Sequence, residues 1–230
     1  MLYLDAANRD DLAELLATGL FRGVTTNPTI LHRAGLSAAD TPALYRFTRD
    51  HGSTTSFAQA TGRDAAELRA SGRGIADLGS DVVVKLPCTQ AGLTVAREFT
   101  ADGVDVLVTA VYHPTQMLLA HAAGAQFIAP YLARSTDAGL DGIELVEQLA
   151  ALRTAGSPRI LAASLRNVSQ VARAARAGSD DLTVNVPLAR ALLQHELTDQ
   201  AVAEFEAIAV SAVAPSTPAA SRGHPEGNRE

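Results

Sequence analysis

Lys85 is the only lysine in a chain that carries eighteen arginines among its 230 residues. It closes the apolar run Asp81-Val82-Val83-Val84-Lys85 and is followed by Leu86-Pro87. Where a plain positive charge suffices, such a bias can put Arg in place of Lys, so a surviving Lys points to a place that needs a neutral amine. Arg cannot lose its proton in a protein and cannot form an imine with a carbonyl. Apolar flanks strip water from the Lys85 amine, disfavour its charged form and lower its pKa. A neutral amine can attack a ketone and become an iminium, an electron sink that lets the neighbouring C–C bond break.

Other polar residues stand where strand-like runs end. They are Asp5 after Leu2-Tyr3-Leu4, Thr25 with Asn27, Gln59, Thr109, Tyr131 with Arg134, and Ser164 with Arg166. Asp5 and Tyr131 are of the types that move protons, and arginines with a serine suit an anion. Each also has a plainer explanation. Asp5 would serve as a cap for a helix starting near Asn8, Lys85 and Asp5 would form a buried ion pair, and Tyr131 and the arginines would be solvated rim residues. What lifts the set is convergence, which requires a particular fold.

That fold is readable from alternation. Runs rich in Val, Ile and Leu near 2–5, 21–25, 54–59, 81–85, 104–109, 126–130, 159–163 and 181–186 alternate with segments of helical period, such as Ile143, Val146, Leu149 and Ala150. Ser37 with Asp40 and Asn167 with Gln170 read as helix-capping pairs. Eight βα units in roughly 210 residues predict an α/β fold, a (β/α)₈ barrel, whose site lies at the C-terminal ends of the strands. Residues 1–210 are expected to form one barrel domain, with an additional C-terminal helix near Asp199–Val210. Residues 211–230 are rich in Pro, Ser, Gly and charge and are expected to be a disordered tail.

Composition narrows the function classes. The net charge of −6 comes with no basic cluster, so nucleic acid is not an expected partner. One cysteine, Cys88, excludes an internal disulfide, and nothing reads as a signal peptide or a membrane span, so a cytoplasmic protein is expected. The six histidines lack ligand-like spacing, Gly72-Arg73-Gly74-Ile75-Ala76-Asp77 lacks the third glycine of a dinucleotide loop, and no G-x-S-x-G is present. Neither a metal nor a cofactor is expected.

The stretches LYLDAAN, GVTTNPTI, VVVKLPCT, VTAVYHPTQ, APYLAR and ILAASLR, in that order over residues 2–210, resemble the small transaldolases and the related fructose-6-phosphate aldolases. The resemblance implies a class I barrel in which Lys85 forms a Schiff base with a ketose or a dihydroxyacetone unit. It implies that Asp5, Thr25 and Asn27 surround substrate hydroxyls, that Ser164 and Arg134 bind substrate and its phosphate with Arg166 nearby, and that the chain is a homo-oligomer, a pentamer or decamer. The transaldolase branch typically has Glu on strand three and Phe on strand six. Gln59 and Tyr131 resemble the aldolase branch instead, where the Tyr is the acid-base group and the amide, with Thr109, holds a water. Ala6, Ala133 and Cys88 depart from the family pattern without removing a catalytic group. The expected activity is making or breaking the C–C bond between a dihydroxyacetone unit and an aldehyde such as glyceraldehyde 3-phosphate. The alternatives are transaldolase, passing that unit from fructose 6-phosphate to erythrose 4-phosphate, and a non-catalytic sugar-phosphate binding barrel.

Overall fold

The computed structural model describes residues 1–213. Its strands are β1 (Leu2–Asp5), β2 (Gly23–Thr25), β3 (Thr55–Gln59), β4 (Val82–Pro87), β5 (Val106–Val111), β6 (Phe127–Pro130), β7 (Arg159–Ala162) and β8 (Asp181–Val184). All pair in parallel in chain order, and β8 returns to β1 to close the barrel. Each strand overlaps an expected run, with β4 and β5 continuing past it to Pro87 and Val111.

The helices are α1 (Arg9–Leu16), α2 (Pro28–Arg33), α3 (Thr41–Asp50), α4 (Ala65–Ala76), α5 (Gln90–Ala101), α6 (Gln116–Ala122), α7 (Leu132–Asp137), α8 (Gly142–Ala151), α9 (Val168–Arg176), α10 (Val186–Leu192) and α11 (Glu196–Val213). The barrel unit runs Met1–Leu192 and a second unit, containing α11, begins at Leu193. Along α11 the apolar Leu197, Val202, Phe205, Ile208 and Val210 are exposed. The helix continues past the expected boundary at 210, and the remainder of the expected tail lies outside the described residues.

Helices begin where a short polar side chain can accept from a free backbone N–H. Asn8, Asn27, Asp64, Thr89, Asp141 and Asn167 each do so. Ser37 and Asp40 form the expected reciprocal box. At α9 the expected pair is only half reciprocal: Asn167 accepts from the Gln170 N–H at 2.9 Å, while the Gln170 side chain reaches one residue further back, to the N–H of Arg166 at 2.8 Å.

Strand side chains alternate, so Val82, Val84 and Leu86 face the helices while Val83 and Lys85 face the barrel axis. Tyr3, Phe57, Val83, Leu107, Ala129 and Leu161 form one buried cluster inside the ring, with Tyr3 and Phe57 edge-to-face at 5.1 Å. Burying side chains such as Phe57 and Leu107 contributes about 1.5–3 kcal/mol each. This layer is the solid floor on which the next inward row stands. The register Asp5↔Thr25, Gln59↔Lys85 and Pro87↔Thr109 brings the strand ends to one rim. Gly92 lets α5 close against the end of β4, because a Cβ there would lie 2.0 Å from the Pro87 carbonyl oxygen.

Candidate active site

Lys85 is 5 % exposed, and its Nζ donates to the Thr26 carbonyl at 2.8 Å. It forms no ion pair among the described residues, so the buried Lys–Asp pair weighed above is not what holds it. Burial lowers its pKa from 10.5 to about 8; the Asp5 charge opposes that fall and Arg134 adds to it. At pH 7 about a tenth of the amine is therefore neutral.

Asp5 does not cap α1, because Asn8 does. Its Oδ1 accepts from Thr25 Oγ1 at 2.6 Å, and Thr25 Oγ1 lies 2.7 Å from Thr183 Oγ1. With its single proton given to Asp5, Thr25 must accept from Thr183. Burial raises the Asp5 pKa above the usual carboxylate range, against the pull of Lys85 and the Thr25 bond. A carboxyl so placed can exchange protons nearer neutrality.

Tyr131 stands between β6 and α7 with its hydroxyl 2.9 Å from Thr109 Oγ1. The Arg134 guanidinium lies over its ring at 4.7 Å, and Tyr112 meets it edge-on at 5.8 Å. Burial raises its pKa, so the phenol keeps its proton at neutral pH. The two strands beside β6 each carry a non-glycine residue with left-handed backbone. Ala110 (φ 58) lies in a bulge of β5, where pairing skips from Val108↔Ile128 to Val111↔Pro130, and Ser164 (φ 60) follows β7.

Above the floor is a cavity of about 270 Å³ whose lining includes Asp5, Thr25, Asn27, Lys85, Tyr131, Arg134, Ser164 and Arg166. Thr109 joins through the Tyr131 hydroxyl. Asn27 uses its side-chain oxygen to cap α2, accepting from the Ile30 N–H at 3.1 Å, which leaves its NH₂ to donate. Arg166 reaches the cavity, but its guanidinium is tied by two nitrogens to Asp137, one at 2.8 Å. Gln59 is opposite Lys85 in register yet is not among the cavity's lining; it borders a separate depression with Pro42 of α3 and Ser71 of α4.

The cavity also contains residues that sequence reasoning passed over, among them Arg33, Thr183 and Asn185. Reading the end of β8 as the other strand ends were read would have found Asn185. Among the described residues no three His, Cys, Asp or Glu side chains come together as a metal would require, and no helix is long and apolar enough to cross a membrane.

A family model described as transaldolase/fructose-6-phosphate aldolase matches residues 2–217. A probable transaldolase of Hyphomonas neptunium is 37% identical over 212 residues, spanning 91% of this chain and 97% of that protein. A probable transaldolase of Lactiplantibacillus plantarum is 37% identical over 205 residues, covering 88% and 93%. Among solved structures, thiamine phosphate pyrophosphorylase from Pyrococcus furiosus superposes with a TM-score of 0.57 at 18% identity over 80% of this chain and 84% of that one, a likeness of fold alone.

Proposed function

The chain belongs to the transaldolase/fructose-6-phosphate aldolase family, and from that premise we propose that it is a Schiff-base aldolase making or breaking the C–C bond between a dihydroxyacetone unit and an aldehyde such as glyceraldehyde 3-phosphate. The observation that carries this reading is Lys85: a buried amine on a cavity floor, unpaired with any carboxylate among the described residues, its pKa lowered to about 8.

In the cleavage direction the neutral Lys85 amine adds to the C2 carbonyl of the ketose, and loss of water leaves an iminium. The C3–C4 bond then breaks, its electron pair passing to the iminium nitrogen to give an enamine, while the C4 hydroxyl proton leaves and that carbon departs as an aldehyde. Tyr131, paired with Thr109, is the group assigned to that proton, and Asp5 serves the proton transfers of imine formation. Protonation at C3 and addition of water release dihydroxyacetone and free Lys85. Thr25 and the free NH₂ of Asn27 hold hydroxyls of the donor, and Arg134, Ser164 and Arg166 attract the phosphate. Gln59, the register partner of Lys85 on β3 and outside the cavity lining, holds a water in the same scheme.

The second reading, transaldolase, is favoured by the names of the relatives. There the enamine attacks erythrose 4-phosphate instead of being released. A cytoplasmic homo-oligomer completes the reading, supported by the single cysteine and by the exposed apolar side chains of α11.

Borohydride reduction in the presence of dihydroxyacetone is the test. A ketose-derived mass on the peptide containing Lys85 is expected, with no second lysine to confuse it. An unmodified Lys85 in active enzyme ends the Schiff-base reading. Product analysis with fructose 6-phosphate, with and without erythrose 4-phosphate, separates the two activities.

A further inference from the structure

Thr183 lines the cavity, is 3 % exposed and takes no part in the bond-breaking scheme. It lies on β8, which with β2 flanks β1 in the closed ring. Its register partner on β1 is Tyr3, an inward residue of the floor, so the Thr183 side chain also points inward. Thr25 does the same from β2. The two threonines and Asp5 form one line: Thr183 Oγ1 is 2.7 Å from Thr25 Oγ1, which is 2.6 Å from Asp5 Oδ1.

A threonine hydroxyl has a single proton, and an ionised carboxylate can only accept. The proton between Thr25 and Asp5 is therefore the Thr25 proton, and the one between the threonines belongs to Thr183. The two bonds run head to tail toward the carboxylate, and each polarises the next. Asp5 Oδ2 has no hydrogen-bond partner among the described residues, and Asp5 lines the cavity, so Oδ2 is the oxygen left to meet a substrate.

The charges that face Asp5 come from other elements. Lys85 of β4, Arg134 of α7 and Arg33 of α2 draw it toward the ionised form against burial, and the protonated Tyr131 is also within its field. On the outer side, Asp11 and Glu14 of α1 pair with Arg190 of α10, and at the far end of β8 Asp181 pairs with Arg159. Thr25 alone bonds to the carboxyl, and Thr183 alone stands behind Thr25.

We propose that Thr183 is a positioning residue for Asp5: by donating to Thr25 it commits the Thr25 proton to Oδ1, holds the carboxyl in one orientation and leaves Oδ2 as the oxygen that exchanges protons with the substrate. The inference rests on the aldolase reading for the step that Asp5 performs, and adds to it the group that holds Asp5 ready.

The test compares the full chain with Thr183→Val, which keeps the shape without the hydroxyl, and Thr183→Ser, which keeps the hydroxyl; Thr183→Ala replaces the valine variant if that does not fold. Infrared difference titration follows the carbonyl band of protonated Asp5, assigned by its absence in Asp5→Asn. Removing the polarising donor takes stabilisation from the charged form, so the midpoint should move to higher pH by about 0.3 of a unit or more in Thr183→Val. In the same variant kcat for cleavage of fructose 6-phosphate should fall about 5-fold, the scale of one neutral hydrogen bond, with little change in KM. Thr183→Ser should restore both values. An unmoved midpoint in Thr183→Val, with or without a fall in kcat, overturns the proposal, and so does a Thr183→Ser variant that behaves like Thr183→Val. The titration needs no turnover. Absence of a borohydride-trapped adduct on wild-type Lys85 would end the Schiff-base reading and leave the infrared midpoints to decide whether Thr183 holds Asp5.

Discussion

Replacing Lys85 by methionine should stabilise the barrel at neutral pH while removing the amine that the chemistry needs. Burial takes the pKa from 10.5 to about 8. At about 1.4 kcal/mol per pH unit, that drop means the charged amine costs the fold about 3 kcal/mol. Screening reduces this little, because the side chain is 5 % exposed. Methionine fills similar space but forfeits the bond to the Thr26 carbonyl, a loss of about 1 kcal/mol. The net gain is about 2 kcal/mol, or about 4–8 °C in Tm for a chain of this size. Its pH dependence identifies the cause. Below pH 8 the folded and unfolded chains both carry the charge and the full penalty applies. Between about 8 and 10.5 the folded chain gives up its proton first, so wild-type stability rises with pH; above 10.5 both forms are neutral and the penalty is gone. Urea midpoints of wild type and Lys85→Met, measured near pH 7 and again near pH 10, should therefore converge at the higher pH. A variant less stable than wild type at pH 7, or a gain of equal size at both values, would refute the reasoning.

Tyr131→Phe keeps the ring beneath Arg134 and beside Tyr112 but removes the hydroxyl that meets Thr109. Cleavage of fructose 6-phosphate to free dihydroxyacetone should fall by about 10²-fold or more, the scale of a lost general acid-base group. Transfer to erythrose 4-phosphate should fall less, because Asp5 remains; equal losses would mean that Tyr131 only shapes the pocket, and an unchanged cleavage rate would put transaldolase first. In wild type, kcat/KM should climb with pH until Lys85 loses its proton at about 8 and level off above it. A profile already flat between about pH 6 and about pH 8 would assign the nucleophile to another group.

The strands were legible because a parallel barrel buries both faces of each one, so β4 reads as an uninterrupted Val run. Their ends were less so. Lys85 in β4 and Thr109 in β5 look like stops, yet both are inward residues above the packed layer, and the ladders continue past them. Polar residues at strand ends identified eight of the cavity's twelve polar lining residues, but Asn185 at the end of β8 was not among them, and Arg33 was missed because a charged residue at the end of a six-residue helix looks solvated. The Asp137 partner of Arg166 lies 29 residues away and leaves no local pattern. The β5 bulge was hidden for a different reason. Its left-handed position is filled by Ala110, where a glycine would have signalled it.

The left-handed backbones at Ala110 and Ser164 make unequal demands on any later change in this protein. Left-handed geometry costs an L-residue about 1–2 kcal/mol, more than the about 0.5–1 kcal/mol of chain freedom that glycine adds to the unfolded state. Selection for heat resistance alone would thus favour glycine at both positions. At Ala110 that route is open, since only a methyl group is lost. At Ser164 it removes a hydroxyl from the cavity wall, so durability and turnover pull in opposite directions there. Libraries that randomise the two positions together under selection for stability would enrich glycine at 110 whether or not turnover is also selected, and at 164 only when it is not.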